Sequence, residues 1–368
     1  MPILSAQIQT ILDTECGSLL QQMREAGKRP HVGIAVALYY PADPTVPSFY
    51  SYGEAAPGQP INRDTIFAIG SVTKVFTATL ASYLQVTQVI GGLDLSVAPF
   101  LSNPDCSPPG IAGGGYMGTV TFENLATQTS GMGRTAPHSP SVPLFDGQPP
   151  TCEMLDWWRT PHPEFRKDQG SWVYSNAGFV TLGFAVANAA KQAYSDLLSS
   201  VITTPLGMPN TFCGQSYPVG VQVAQGYQPG GAKGKIETAA DLKSTAGDLG
   251  VWMQAVYQAM ENGADQNQLQ RAIAQTTKVW VADPVSPTHD KLKFQMGLAW
   301  QIPTLGSGTT ALAKDGSVGG AGFSCWLGIT QPGAGNRNPV GIALLTNQTG
   351  VAPDPSAFGI LNQIAAIA

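Results

Sequence analysis

Ser71-Val72-Thr73-Lys74 places a hydroxyl three residues ahead of an amine at the start of an apolar stretch, a spacing that puts both groups on one face of a helix. A nucleophile and its base would then stand one turn apart. The phrase leading in, Ile66-Phe67-Ala68-Ile69-Gly70, ends in a glycine that lets the chain turn sharply before the hydroxyl. Apolar residues recur at Val72, Val75, Phe76, Leu80, Tyr83 and Leu84, which predicts a buried central helix. Ser71 falls at its opening, where backbone N–H groups without helical partners can receive a developing oxyanion. By itself the pattern is weak, because a Ser-x-x-Lys is expected roughly once by chance in a chain of this length.

Two more phrases follow in order: Tyr174-Ser175-Asn176, preceded by Gly170-Ser171-Trp172-Val173, and Lys314-Asp315-Gly316-Ser317. Taken singly, Tyr174 reads as a core aromatic, Asn176 as a helix cap and Lys314 as a solvated strand end. As an ordered set they resemble the three signatures of the serine penicillin-recognising enzymes. This superfamily takes in class C β-lactamases, low-molecular-mass penicillin-binding DD-peptidases and family VIII carboxylesterases. Tyr52-Gly53-Glu54, Leu125-Ala126-Thr127-Gln128-Thr129-Ser130-Gly131, Pro205-Leu206-Gly207-Met208, Gly297-Leu298-Ala299-Trp300 and Leu344-Leu345-Thr346-Asn347 look like further landmarks of the same superfamily, so the resemblance covers nearly the whole chain.

The resemblance implies an α/β (α+β) fold of the β-lactamase/transpeptidase type, an antiparallel sheet flanked by helices plus a mostly helical domain. It implies a Ser71 acyl-enzyme, with the Ser71 and Ser317 backbone N–H groups as the oxyanion hole. A Lys74 amine neutral at pH 7 would cost about 4–5 kcal/mol relative to its free pKa of about 10.4. A helix N-terminus, partial desolvation and the positive charge of Lys314 would reduce that cost, and the same positive field would lower the Tyr174 pKa. Lys74 and Tyr174 are therefore read as a coupled pair sharing a proton. Asn176 would hold Lys74 and the substrate amide, and Lys314, with Gly316 and Ser317 beside it, would bind the substrate carboxylate. Asn347 loosely matches a carboxylate-side Asn of the family and reads equally as a structural Asn closing a turn.

Asp315 departs from the usual Lys-Thr-Gly or His-Thr-Gly. An ionised carboxylate facing the substrate would repel a β-lactam carboxylate by about 1 kcal/mol at 4 Å in water, and by more at lower dielectric. Strand alternation offers the other orientation, away from the side of Lys314. The implied function is hydrolysis of β-lactams or D-alanyl peptides. A carboxylesterase is the alternative, and a slowly turning over penicillin-binding sensor is an alternative of another class.

The 368 residues are 43% hydrophobic but only 12% charged, with 42 Gly and 29 Pro, which fits a folded, loop-rich protein of about two domains. A net charge of −5 without a basic block argues against nucleic-acid partners, and no apolar run is long enough for an integral membrane segment. The five cysteines, at 16, 106, 152, 213 and 325, show no metal spacing, so no metal or other cofactor is expected; at least one thiol must stay unpaired within the chain, and a Cys106–Cys152 bond is open. The Gly113-Gly114-Gly115 run reads as a connector, since no P-loop lysine follows it. No Gly-x-Ser-x-Gly elbow is present, and none of His31, His138, His162 and His289 has a hydrolase context.

Periodicity predicts a first helix over 5–26, strands Val32–Tyr39, Ser48–Tyr52, Met296–Ile302, Thr309–Lys314, Gly322–Ile329 and Val340–Thr346, and a final helix from about Ser356. Residues 1–62 and 286–368 are expected to form the sheet domain and 63–285 the helical one, with a catalytic cleft between them. Met1-Pro2-Ile3-Leu4 does not open a signal peptide. The resemblance implies a periplasmic or secreted protein, the residues alone leave the cytoplasm open, and the expected state is a monomer acting on a small β-lactam, peptide or ester.

Overall fold

The structure is a computed structural model, described here over residues 2–27, 31–43, 46, 48–111, 115–134, 147–214, 217–228, 242–261, 266–333 and 338–368. The longer helices are α1 (Pro2–Gly27), α2 (Thr73–Val86), α3 (Asn176–Ala190), α4 (Ala246–Glu261), α5 (Gln268–Thr276) and α6 (Asp354–Ile367). The strands are β1 (Gly33–Tyr39), β2 (Phe49–Ala56), β3 (Gln59–Pro60), β4 (Phe67–Ala68), β5 (Lys243–Ser244), β6 (Gln295–Met296), β7 (Gln301–Ile302), β8 (Ala311–Val318), β9 (Phe323–Thr330) and β10 (Gly341–Thr346). Two compact units emerge: residues 1–73, 203–262 and 303–368 in one, and 74–202 and 263–302 in the other. This grouping puts 63–73 and 203–262 with the sheet, where a division at 62/63 and 285/286 would put them with the helices. Part of the reason is β5, whose Lys243 and Ser244 pair with Ala68 and Phe67 of β4.

In the sheet unit, six antiparallel strands run in the order β3-β2-β1-β10-β9-β8. The two faces follow from the alternation of residue size. Ile34, Val36 and Leu38 of β1 and Ile342 and Leu344 of β10 are buried in one core with Ile8, Leu12, Cys16, Leu19 and Met23 of α1 and Ile360, Leu361 and Ile364 of α6. The intervening positions, Ala35, Ala37, Gly341 and Ala343, are small, and α4 lies close against them: a side chain at Gly341 would meet the Met253 sulfur at 2.9 Å. Thr245 caps α4 by accepting from Asp248 N at 3.1 Å, but the Asp248 carboxylate does not complete a capping box. It accepts instead from Thr211 Oγ1 and Asn210 N, both at 2.8 Å, tying the helix start to the preceding loop.

In the helical unit, α2 buries Val75, Phe76, Leu80 and Leu84 of the predicted stripe, leaves Tyr83 half-buried, and is held by hydrogen bonds from its polar residues. Thr77 meets the Tyr194 hydroxyl at 2.7 Å, and Ser82 donates to the Ala272 carbonyl of α5. A disulfide joins Cys106 to Cys152, closing a loop with a sequence separation of 46 residues. Loop-closure entropy gives such a bridge a contribution of up to about 4 kcal/mol. Beside it, Arg159 donates to the carbonyls of Pro108 and Gly110, fastening the Pro-rich excursion to the helix Cys152–Arg159. Gly113 and Gly114 lie outside the described residues. The predicted strand Met296–Ile302 is two short strands: Gly297 N donates to Trp300 O at 2.8 Å and Ala299 takes φ 67°, so the chain reverses and β6 pairs with β7. Among the described residues, no helix is long and apolar enough to cross a membrane.

Candidate active site

Ser71 sits on a short 3-10 turn, Gly70–Val72, that runs directly into α2. The tighter turn departs from the α-helical opening expected from the apolar period. The turn is pinned from both ends within the sheet unit: Ile69 N donates to Leu242 O at 3.0 Å, and Leu242 N donates to Thr73 Oγ1 at 2.9 Å.

Gly70 has φ 53°, a left-handed conformation that favours glycine, and a Cβ there would lie 2.5 Å from Ser317 N. A Cβ on Gly316 would lie 2.2 Å from Ile69 O and 2.9 Å from Ser71 N. The Ser71 turn and β8 thus meet backbone to backbone, and only glycine fits at either position.

On β8, the Lys314 side chain is 2% exposed, and its amine donates to Asp315 O at 2.8 Å and to Asp315 Oδ1 at 2.9 Å. Asp315 pairs across the ladder with Trp326, which packs against Phe358 of α6 in the same core as Ala311 and Ala313. Of the two orientations open from the sequence, the register selects the one in which Asp315 lies on the α6 face and Lys314 on the opposite face, with the long lysine reaching round to it.

The start of α6 adds a second carboxyl. Burial, then the nearby Asp315 charge, raise the Asp354 pKa to about 6, against the opposing pull of Lys314. A carboxyl whose folded pKa lies above its unfolded value binds more protons when folded. Stability should therefore fall as pH rises from about 4 to about 6 and stay penalised above that. In Asp354→Asn this component is expected to vanish, raising Tm at pH 7.5 relative to pH 4.5; parallel melts of the two proteins across that range would remove the assignment.

Of its two readings, Asn347 shows the contacts of the structural one. It is fully buried, its Oδ1 accepts from Gly33 N at 2.7 Å, and its amide donates to Glu54 O and Ala55 O at 3.1 and 3.2 Å. These three bonds tie β1 and β2 to the end of β10.

In the helical unit, the Lys74 amine donates to Asn176 Oδ1 at 2.8 Å and lies 5.2 Å from the Tyr174 ring centroid and 5.5 Å from that of Phe179. The Arg134 guanidinium also faces the Tyr174 ring, at 5.4 Å. Lys74 is 7% exposed, so its amine is largely removed from water and its bond to the Asn176 amide is correspondingly stronger. Asn176 opens α3 because Ser175 caps it, accepting from Gly178 N at 2.7 Å while donating to Gly133 O at 2.8 Å. The fold thus brings Lys74, Tyr174 and Asn176 together in this unit, and Ser71, Lys314, Gly316 and Ser317 in the sheet unit.

Sequence reasoning missed Arg134 and Phe179. Arg134 stands three residues beyond the Leu125–Gly131 landmark, which was the available signal. His31 is engaged by the Glu54 carboxylate at 2.7 Å, His162 by the Trp157 carbonyl at 2.9 Å, and His138 lies outside the described residues.

The beta-lactamase family model matches residues 18–365. The chain is 31% identical over 296 residues to the D-alanyl-D-alanine-carboxypeptidase/endopeptidase AmpH of Escherichia coli K12, covering 76% of this chain and 72% of that one. It is 26% identical over 280 residues to a beta-lactamase of Psychrobacter immobilis, covering 73% of this chain and 62% of that protein's length. A crystal structure of a beta-lactamase from Sulfitobacter sp. EE-36 superposes with a TM-score of 0.76 over 99% of both chains at 19% identity, which speaks for the fold. With a family match running over nearly its whole length, the chain belongs to the beta-lactamase family of serine hydrolases.

Proposed function

We propose that the protein hydrolyses β-lactams or D-alanyl peptides through an acyl-enzyme on Ser71. The Ser71 hydroxyl attacks the carbonyl carbon, and its proton passes to the Lys74–Tyr174 pair. The backbone N–H groups of Ser71 and Ser317 receive the oxyanion; losing one such donor typically costs about 3–4 kcal/mol of transition-state stabilisation. The same pair protonates the leaving nitrogen, and a water assisted by Tyr174 then releases the acyl group. Asn176 orients Lys74. The observation that carries this reading is the Lys74 amine, bonded to Asn176 Oδ1 at 2.8 Å and lying over the Tyr174 ring. The AmpH and Psychrobacter relatives, by what their names state, support this substrate class.

A second reading, a carboxylesterase, is favoured by one contact: the Asp315 carboxylate already occupies the Lys314 amine at 2.9 Å and offsets the charge that would bind a substrate carboxylate. Asp315→Thr is expected to raise kcat/KM for anionic β-lactams relative to neutral esters by roughly tenfold, the factor that about 1.4 kcal/mol of regained attraction supplies. An unchanged ratio of nitrocefin to p-nitrophenyl butyrate turnover would mean that Asp315 does not set the preference.

The deciding experiment is intact-mass spectrometry after mixing with benzylpenicillin and, separately, with a short-chain ester. A transient penicillin adduct supports the first reading, an ester adduct alone the second, and a permanent penicillin adduct without turnover a penicillin-binding sensor. The Cys106–Cys152 disulfide supports a periplasmic or secreted location, since such bridges persist in oxidising compartments. The proposed working state is a monomer.

A further inference from the structure

We infer that Gln128 is a positioning residue for Tyr174. Its backbone carbonyl accepts from Val173 N at 2.8 Å, and its side-chain Oε1 accepts from Ser175 N at 2.6 Å. One residue therefore holds the main chain immediately before and immediately after the phenol-bearing residue. Gln128 is 3% exposed, and it adopts φ 63° although it is not glycine. A left-handed backbone of this kind is strained for a residue with a side chain. Glycine would occupy the position without that strain but could not supply the amide oxygen. The strain is therefore coupled to the bond that only the side chain makes.

The neighbouring turn extends the same grip. Thr129 N donates to Asn124 O and Gly170 N donates to Thr129 O, both at 2.8 Å, which fixes the two strands of chain relative to each other. Further along, Gly133 O accepts from the Ser175 hydroxyl at 2.8 Å and Arg134 O accepts from Asn176 N at 3.0 Å. Residues 128–134 thus run beside 173–177, contacting them repeatedly, and Gln128 is the member that brackets Tyr174. The Ser175 N–H is buried, so removal of its acceptor leaves an unpaired donor next to the phenol. A displacement of about 1 Å of a reacting group can cost roughly a hundredfold in rate.

The inference rests on the reading of Tyr174 as part of the proton-carrying pair, and the test separates the two. Gln128→Gly, Gln128→Glu and Tyr174→Phe are compared with the natural protein for kcat, KM, pH profile and Tm, using whichever of nitrocefin or p-nitrophenyl butyrate the natural protein turns over. Gln128→Gly relieves the backbone strain and removes the acceptor. It is expected to keep Tm within a few degrees and KM within about threefold while kcat falls roughly 10- to 100-fold.

Gln128→Glu keeps an acceptor and adds a charge beside the pair. It is expected to restore kcat to within a few-fold at its optimum and to move the acidic limb of kcat/KM up by about half a unit to one unit. Gln128→Gly with kcat unchanged overturns the positioning role, as does a kcat loss that follows the unfolded fraction with no recovery in Gln128→Glu. Wild-type turnover in Tyr174→Phe would instead overturn the reading of Tyr174 itself.

Discussion

Ser71→Ala is expected to leave a folded protein that forms no adduct with penicillin or ester and turns over neither. The 3-10 turn is built by its neighbours: Gly70 supplies the left-handed φ, Ile69 N and Thr73 Oγ1 bond to residue 242, and Val72 fills the core. Alanine fits that turn, so Tm should stay within a few degrees. The chemical loss should be large, because a nucleophile acting as one unit with its base costs on the order of a millionfold in kcat when removed. A mass adduct that persists on the peptide containing residue 71 in the variant would remove Ser71 from the reaction.

Tyr174→Phe is the other large effect. Phenylalanine keeps the ring that lies 5.2 Å from the Lys74 amine and 5.4 Å from the Arg134 guanidinium, so both cation–ring contacts and the packing against Trp172 survive. Only the hydroxyl is lost. General acid–base groups contribute about 10²–10⁴-fold, and turnover is expected to fall by that much with KM nearly unchanged. The acidic limb of the pH profile should also change shape, because the proton proposed to be shared by the pair would then rest on Lys74 alone. Near-normal turnover with an unaltered profile would take Tyr174 out of the proton pathway.

Much of this was legible in the residues because local pattern and tertiary role agree there. The apolar strands β1 and β10, the helix α1 and most of the α2 stripe each follow a single period, and their apolar positions are buried. Lys74 and Asn176 were nominated together from phrases a hundred residues apart and are bonded.

Other features depended on partners distant in sequence. The Asn347 side chain is consumed by Gly33, Glu54 and Ala55, some three hundred residues away, and nothing around Leu344-Leu345-Thr346 announces those bonds. Asp315 could not be assigned a face until the β8–β9 register set it opposite Trp326. The break in Met296–Ile302 comes from a positive φ at Ala299, whose N–H bonds to Ala126 O at 2.7 Å, a demand that no residue type in the run signals. Residues 203–262 look helical and loop-like in sequence, yet two of them, Lys243 and Ser244, extend β4 into a ladder.

The paired glycines at 70 and 316 set a rule for engineering this scaffold. Because main chain touches main chain there, the two nitrogens proposed to polarise the acyl group are set by bond lengths and torsions rather than by any rotamer, and they form an invariant ruler. Mutant libraries aimed at new acyl donors should freeze both positions and diversify side chains elsewhere.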